Sequence, residues 1–232
     1  MNTPGVRKSE NANGTYYANS RPEVVARVPS SVDRVLDVGC GNGMVGASIK
    51  NKYPDCKVIG LEFSKTAADI ASHSLDEVWR LNLNDLNPGE IKGDFDLIIC
   101  ADIIEHLLDP ENFLKILRTK IRSNGKAVLS IPNVRHWSVL LPLLINDRFT
   151  YTDQGLLDKT HVHLFTYTEI KLMLSRCGWE ITNTNINRLQ QKLNPNMLKE
   201  LLKMISSLGG NEEYSKTTIE AFQYIIDIKP II

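Results

Sequence analysis

The sequence predicts an α/β chain folded around a doubly wound, mostly parallel sheet, and three observations predict it. Short runs of Val, Ile and Leu alternate with helical patterns along the chain, the order that parallel strands with crossover helices require. The run FDLIIC at 95–100 is apolar at nearly every position, as suits a central strand buried on both faces. At 35–43 the run VLDVGCGNG ends a strand in three alternating glycines, a turn that lets backbone approach a ligand closely, and a helical pattern comes next.

Residues 1–30 are polar, with Gly, Asn, Ser and Pro, and read as an arm; residues 31–232 form the domain. A first strand covers 35–38 and runs into a helix from 44. KVIGL at 57–61 is a second strand, followed by a helix from 65 to about 72. VWRLNL at 78–83 is a third strand and FDLIIC a fourth, with a helix at 111–120 after it. KAVLSI at 126–131 is a fifth strand, entered through a turn at Asn124-Gly125. A helix at 168–177 takes Thr168 as its N-cap and Gly178 as its stop. A sixth strand covers 179–186, and TIEAFQYIIDI at 218–228 reads as the last. Two stretches, about 133–165 and 189–216, are too long for simple connections and read as insertions over the carboxyl side of the sheet, where open α/β folds bind ligands. Within the second, 198–208 is apolar at helical spacing and reads as a helix packing on the domain or on a second copy, which would allow a homodimer.

Composition excludes several classes. Lys+Arg and Asp+Glu balance at 27 each, so no basic field favours nucleic acid. No apolar run is long enough to cross a bilayer, so membrane insertion is not expected. MNTPGVRKSENANGTYY at the start lacks the apolar core of a secretion signal; the glycosylation sequon Asn13-Gly14-Thr15 therefore reads as coincidence. Cys40, Cys56, Cys100 and Cys177 are scattered without a CxxC, which indicates neither zinc nor a disulfide framework. A cytoplasmic chain with free thiols is the plain expectation.

An acid inside a strand, a glycine turn and a helix start together suit a ligand carrying both a cation and an anion, such as an amino-acid headgroup. A rival register exists. Gly41 to Gly46 fits GxGxxG with Glu62 about twenty residues on, the dinucleotide pattern, which would make the chain an NAD-dependent oxidoreductase. Asp37 inside the first strand and the earlier Gly39 tell against it. The segment resembles instead the glycine-rich loop of class I S-adenosylmethionine-dependent methyltransferases, hydrophobic-D-x-G-x-G-x-G. The resemblance implies a Rossmann-like, seven-stranded, mostly parallel sheet with an antiparallel last strand and helical lid insertions. It also implies S-adenosyl-L-methionine as cofactor and S-adenosyl-L-homocysteine as product.

By that resemblance Asp37 would hold the amino group of the methionine moiety, directly or through water, with Gly39, Cys40, Gly41 and Gly43 passing beside it. Glu62 would accept from both ribose hydroxyls, Phe63 would pack on the adenine face, and Asn82, with Leu83 beside it, would face the adenine amino group. Cys100 and Ala101 would pass the methionine part. A tyrosine of the pair Tyr16-Tyr17 would fold over the cofactor.

The acceptor side is read from Asp102-Ile103-Ile104-Glu105-His106. On a helical turn Asp102, Glu105 and His106 could share one face, and His161 and His163, two apart, would point the same way in an extended segment. His106, Asp102, His161 and His163 are the catalytic candidates, a histidine serving as base for a hydroxyl acceptor. The run also looks like the E-x-x-E-H motif of magnesium-dependent small-RNA 2′-O-methyltransferases and ubiquinone-pathway O-methyltransferases, with Asp in place of the first Glu. Such a set could hold a divalent metal, but a metal-free site is the preferred reading. His136, beside Arg135 and Trp137, either lines the acceptor pocket or lies on the surface, and His73 faces solvent. GLLDKTHVHLF at 155–165, with PNVRHW, resembles a stretch of bacterial methyltransferases of cell-surface polysaccharide and secondary pathways. The expected reaction is therefore O-methylation of a small hydroxyl-bearing acceptor, a sugar or secondary metabolite. The alternative from another class is a non-catalytic cofactor-binding protein of the same fold.

Overall fold

The computed structural model describes residues 20–231; the expectations for Tyr16, Tyr17 and the sequon lie outside them. The strands are β1 (Arg34–Val38), β2 (Lys57–Leu61), β3 (Glu77–Trp79), β4 (Phe95–Ala101), β5 (Ile121–Pro132), β6 (Trp179–Asn187) and β7 (Gln223–Pro230). The helices are α1 (Pro22–Val25), α2 (Met44–Lys52), α3 (Lys65–Ala71), α4 (Pro110–Arg118), α5 (Trp137–Asn146), α6 (Tyr167–Arg176), α7 (Pro195–Ser207) and α8 (Glu212–Glu220). The strands form one sheet in the order β3-β2-β1-β4-β5-β7-β6. β1 to β5 pair in parallel, and β7 runs antiparallel to both neighbours. This is the predicted doubly wound sheet with its antiparallel last strand. No helix among the described residues is long and apolar enough to cross a membrane.

Each face of the sheet carries its own core. On one face Phe95, Phe113, Leu114, Trp179 and Tyr224 pack together; on the other, Val35, Ile49, Val58, Leu97 and Ile99 do. β4, apolar at every position but Asp96, supplies both. α4 shows how a helix is placed by sequence. Asp109 caps it by accepting from Asn112 N, Pro110 starts it, and Phe113, Leu114, Ile116 and Leu117 form its buried face, the spacing of an amphipathic helix.

Several boundaries differ from the expectation. Residues 20–30 are not a loose arm: α1 lies there, with Val24 and Val28 buried. β3 stops at Trp79, because Asn82 accepts from Asn84 N and starts a short 3₁₀ turn at Leu83–Asp85, a local bond that competes with the ladder. Asn124-Gly125 is no turn. It lies within β5, at an irregularity where Phe95 pairs with Ile121 but Leu97 pairs with Lys126, and a Cβ at Gly125 would meet the Phe95 carbonyl at 2.9 Å. α6 is capped by Thr166, which accepts from Glu169 N, the Ser/Thr-x-x-Glu signature; Thr168 lies inside the helix. Residues 218–220 are the last turn of α8 rather than strand, with Thr218 Oγ1 donating back to Tyr214 O.

The two stretches read as insertions hold α5, and α7 with the start of α8, and follow β5 and β6 at the carboxyl edge of the sheet. They pack on each other: Leu193, Leu198, Leu201 and Ile219 are buried against Trp137, Leu140 and Leu141.

Candidate functional site

The first half of the site lies where β1 and β2 end. Gly39, Gly41 and Gly43 have φ of +66°, +54° and +80°, the left-handed region that costs glycine nothing. A Cβ at Gly39 would stand 2.0 Å from Ile103 Cδ1, so the loop can pass here only as glycine. Asp37 is buried beneath the start of α2. Burial pushes its carboxyl up to about 7, repulsion from Glu62 adds to the rise, and the Gly46 N–H opposes it. Its Oδ2 has no hydrogen-bond partner among the described residues. A buried orphan carboxylate oxygen is costly, and it is the chemistry that an ammonium, or a water carried by one, would satisfy. The loop and Asp37 therefore fit the headgroup that the sequence suggested.

Glu62 is buried and braces the loop, accepting from Gly41 N at 3.0 Å and from Ser64 N at 2.8 Å. A carboxylate has about four acceptor sites, so room remains for two hydroxyls. Phe63 is 62% exposed beside it, an open aromatic face. Asn82 is exposed, with its side chain bonded to Asn84 N and Asp85; Leu83 packs against the core. Cys40 and Cys100 are buried, and burial pushes both thiols far above their ordinary value. The Cys40 sulfur packs over Gly60, so only the backbone of Cys40 can face a ligand.

The second half lies beyond β4. The turn is a 3₁₀ turn, Ile104–His106, and Asp102 stands outside it at φ +58°. Asp102, Glu105 and His106 therefore do not share a face. Glu105 and His106, both buried, meet His161 instead. Glu105 Oε1 lies 3.9 Å from His161 Nε2, and the two imidazoles meet edge to face at 4.8 Å. One potential ligand atom from each of the three falls within 4.8 Å of the others. Backbone carbonyls set both tautomers. Thr160 O is 3.1 Å from His106 Nδ1 and Leu156 O is 3.1 Å from His161 Nδ1, so Nδ1 carries a proton and, in the neutral ring, Nε2 holds the lone pair. His163 does not join them. The chain bends between the two, and His163 faces Leu108 O and stacks on Phe165, along a groove of about 530 Å³ with Met173 and Lys115.

His136 is buried and caps α5, with Nδ1 accepting from Ser138 N; burial lowers its pKa to about 4. It is not the surface group that one of the two expectations made it. Asn133 and Arg135 tie the first insertion to α8 through Thr218 O, Ala221 O and Ser215 Oγ. His73 is exposed, as expected.

Sequence reasoning missed Arg21. Its guanidinium pairs with Asp102 and reaches Ser130 Oγ at 2.6 Å, Gln223 Oε1 at 3.0 Å and Glu23 at 2.5 Å. Burial works against its charge, but Asp102 and Glu23 hold its pKa above the ordinary value. No local pattern announces a lone arginine in a polar stretch.

Comparisons with known proteins place the chain in a family. A family model described as a methyltransferase domain matches residues 12–184. The ubiquinone biosynthesis O-methyltransferase of Schizosaccharomyces pombe is 32% identical over 104 residues, 42% of this chain and 37% of that protein; the match thus spans well under half of that relative. Two solved structures share the fold. An S-adenosylmethionine-dependent methyltransferase from Mesorhizobium loti is 14% identical, with a TM-score of 0.58 over 89% of this chain and 95% of that one. Rickettsia typhi PKMT2, solved in complex with AdoHcy, is 16% identical, with a TM-score of 0.56 over 93% of this chain and 53% of that one. Since the family model covers more than half of its length, the chain belongs to the methyltransferase-domain family of class I S-adenosylmethionine-dependent methyltransferases.

Proposed function

We propose that the chain transfers a methyl group from S-adenosylmethionine to the oxygen of a small hydroxyl-bearing acceptor, a sugar or secondary metabolite. The observation that carries this reading is the buried Glu105–His106–His161 cluster, whose histidines both present Nε2 as the basic nitrogen. When bound, the cofactor supplies an activated methyl. Asp37 and the loop at Gly39 and Gly41 hold its amino-acid end, Glu62 its ribose hydroxyls, and Phe63 and Asn82 its base. His161 or His106 takes the acceptor proton at Nε2, and Glu105 stabilises the imidazolium that results. Holding the hydroxyl in line supplies much of the remaining rate. The O-methyltransferase named among the relatives supports oxygen as the atom methylated.

Titration calorimetry with S-adenosylhomocysteine and with NAD tests the cofactor. Micromolar binding of the former alone is expected, and binding of NAD alone would overturn the reading. Transfer of labelled methyl to a panel of sugars and phenols then tests the acceptor class; binding without transfer to any acceptor would favour a non-catalytic protein. The same three side chains form an oxygen–nitrogen donor set suited to a divalent ion, without the Asp102 that the sequence had included. Transfer that persists in excess chelator would leave them as a base alone.

A further inference from the structure

We propose that Arg21 is a positioning residue that sets both halves of the site through the backbone of residues 102–106, a role that rests on the cofactor reading above. Asp102 sits at φ +58°, a left-handed conformation that costs a non-glycine residue free energy and is steadied here by its surroundings. The surroundings are a fork. Arg21 Nη1 and the Gln223 amide both reach the Asp102 carboxylate, and Ser130 Oγ donates to it at 3.1 Å. Arg21 Nη2 contacts Ser130 and Gln223 in turn. One guanidinium thus joins the loop after β4 to the carboxyl end of β5 and the start of β7.

The residues just after Asp102 touch both halves of the site. Ile103 packs onto the glycine loop so closely that its Cδ1 occupies the space of a Gly39 Cβ. Two residues on, the Glu105 carbonyl accepts from Val162 N at 2.9 Å and His163 N at 3.0 Å, which holds His161 over Glu105 and His106. Asp102 is the point where the chain leaves β4 for both contacts. Releasing it would loosen the loop on one side and the histidine cluster on the other. Lysine can replace only one arm of such a fork.

The test compares wild type with Arg21→Ala, Arg21→Lys, Asp102→Ala and the double variant Arg21→Ala/Asp102→Ala, by amide hydrogen exchange on the ligand-free chain and by calorimetry with S-adenosylhomocysteine. Arg21→Ala is expected to speed exchange about tenfold at His106, Val162 and His163 while leaving Leu36 and Ile98 unchanged, and to weaken S-adenosylhomocysteine about tenfold. Asp102→Ala is expected to match it, the double variant to be no worse than either single one, and Arg21→Lys, which also serves if the alanine variant fails to fold, to recover part of the loss. Uniformly faster exchange at all amides would overturn the proposal in favour of general stabilisation. Weaker binding in Arg21→Ala that Asp102→Ala does not share would overturn it in favour of direct ligand contact. If wild type fails to bind S-adenosylhomocysteine, the cofactor reading fails, and the exchange pattern alone decides the positioning role.

Discussion

The proposed cofactor half and the proposed acceptor half of the site are built by opposite means. From Asp37 to Glu62 the chain needs one strand, one glycine turn, one helix and the next strand, and much of what it offers a ligand is backbone, made approachable by positive φ at Gly39, Gly41 and Gly43. The acceptor half is made of side chains gathered from afar: Glu105 and His106 after β4, and His161 from the first insertion, with Arg21 and Gln223 closing around Asp102. A site made of backbone is held by the fold itself. A site made of side chains is held by their neighbours, and it can change its chemistry without disturbing the sheet.

The sharpest way to break this contrast is to remove the proposed base. His161→Ala should lower methyl transfer by about 10²–10⁴-fold, the usual contribution of a positioned base, with S-adenosylhomocysteine affinity unchanged by calorimetry. A parallel loss of affinity would mean that the halves are not separable. Gly39→Val should do the reverse. A left-handed valine costs roughly 1–2 kcal/mol and displacement of Ile103 roughly another 1–3, so cofactor binding should fall steeply. Retained binding would show that the loop is not where the ligand lies. Glu62→Ala should weaken the cofactor by about 1.5–3 kcal/mol, the range for hydrogen bonds to a charged group, and unchanged affinity would remove Glu62 from the site.

A pH series separates the glycine-loop region from the segment after β5. The folded state holds a proton on Asp37 between 3.8 and about 7 that the unfolded chain has released. Asp37 therefore favours folding below that window, and its contribution is lost as pH rises through it. His136 has the opposite slope. It stays neutral in the fold down to about 4, while the unfolded chain is protonated below 6.5, so its contribution is lost as pH falls through that range. In wild type the slopes oppose. Urea unfolding at a series of pH values should expose the His136 slope in Asp37→Asn and the Asp37 slope in His136→Asn. If both variants keep the wild-type profile, neither group titrates as its burial implies.

The same contrast explains what could be read in advance. β2 falls at 57–61 as predicted and the glycine loop stands where its pattern put it, because both depend on neighbours a few residues away. The failures are places where a distant or competing partner decides. Asn82 ends β3 by bonding to Asn84, Thr166 takes the cap expected of Thr168, and residues 218–220 stay helical because Ile219 is buried in the cluster shared by the insertions. At the acceptor side, periodicity grouped Asp102 with Glu105 and His106, but Asp102 belongs to Arg21, which lies 81 residues away. His161 and His163 parted because the chain bends between them.

The shared apolar seam between the insertions has a consequence for how acceptor preference can change. Trp137, Leu140 and Leu141 from one insertion cover Leu198, Leu201 and Ile219 from the other, so neither surface is water-compatible without its counterpart. Exchanging one insertion with that of a relative would leave half a seam exposed; exchanging both would carry the seam across intact. The two segments, separated along the chain by α6 and β6, therefore make one packing unit, to be exchanged as a pair.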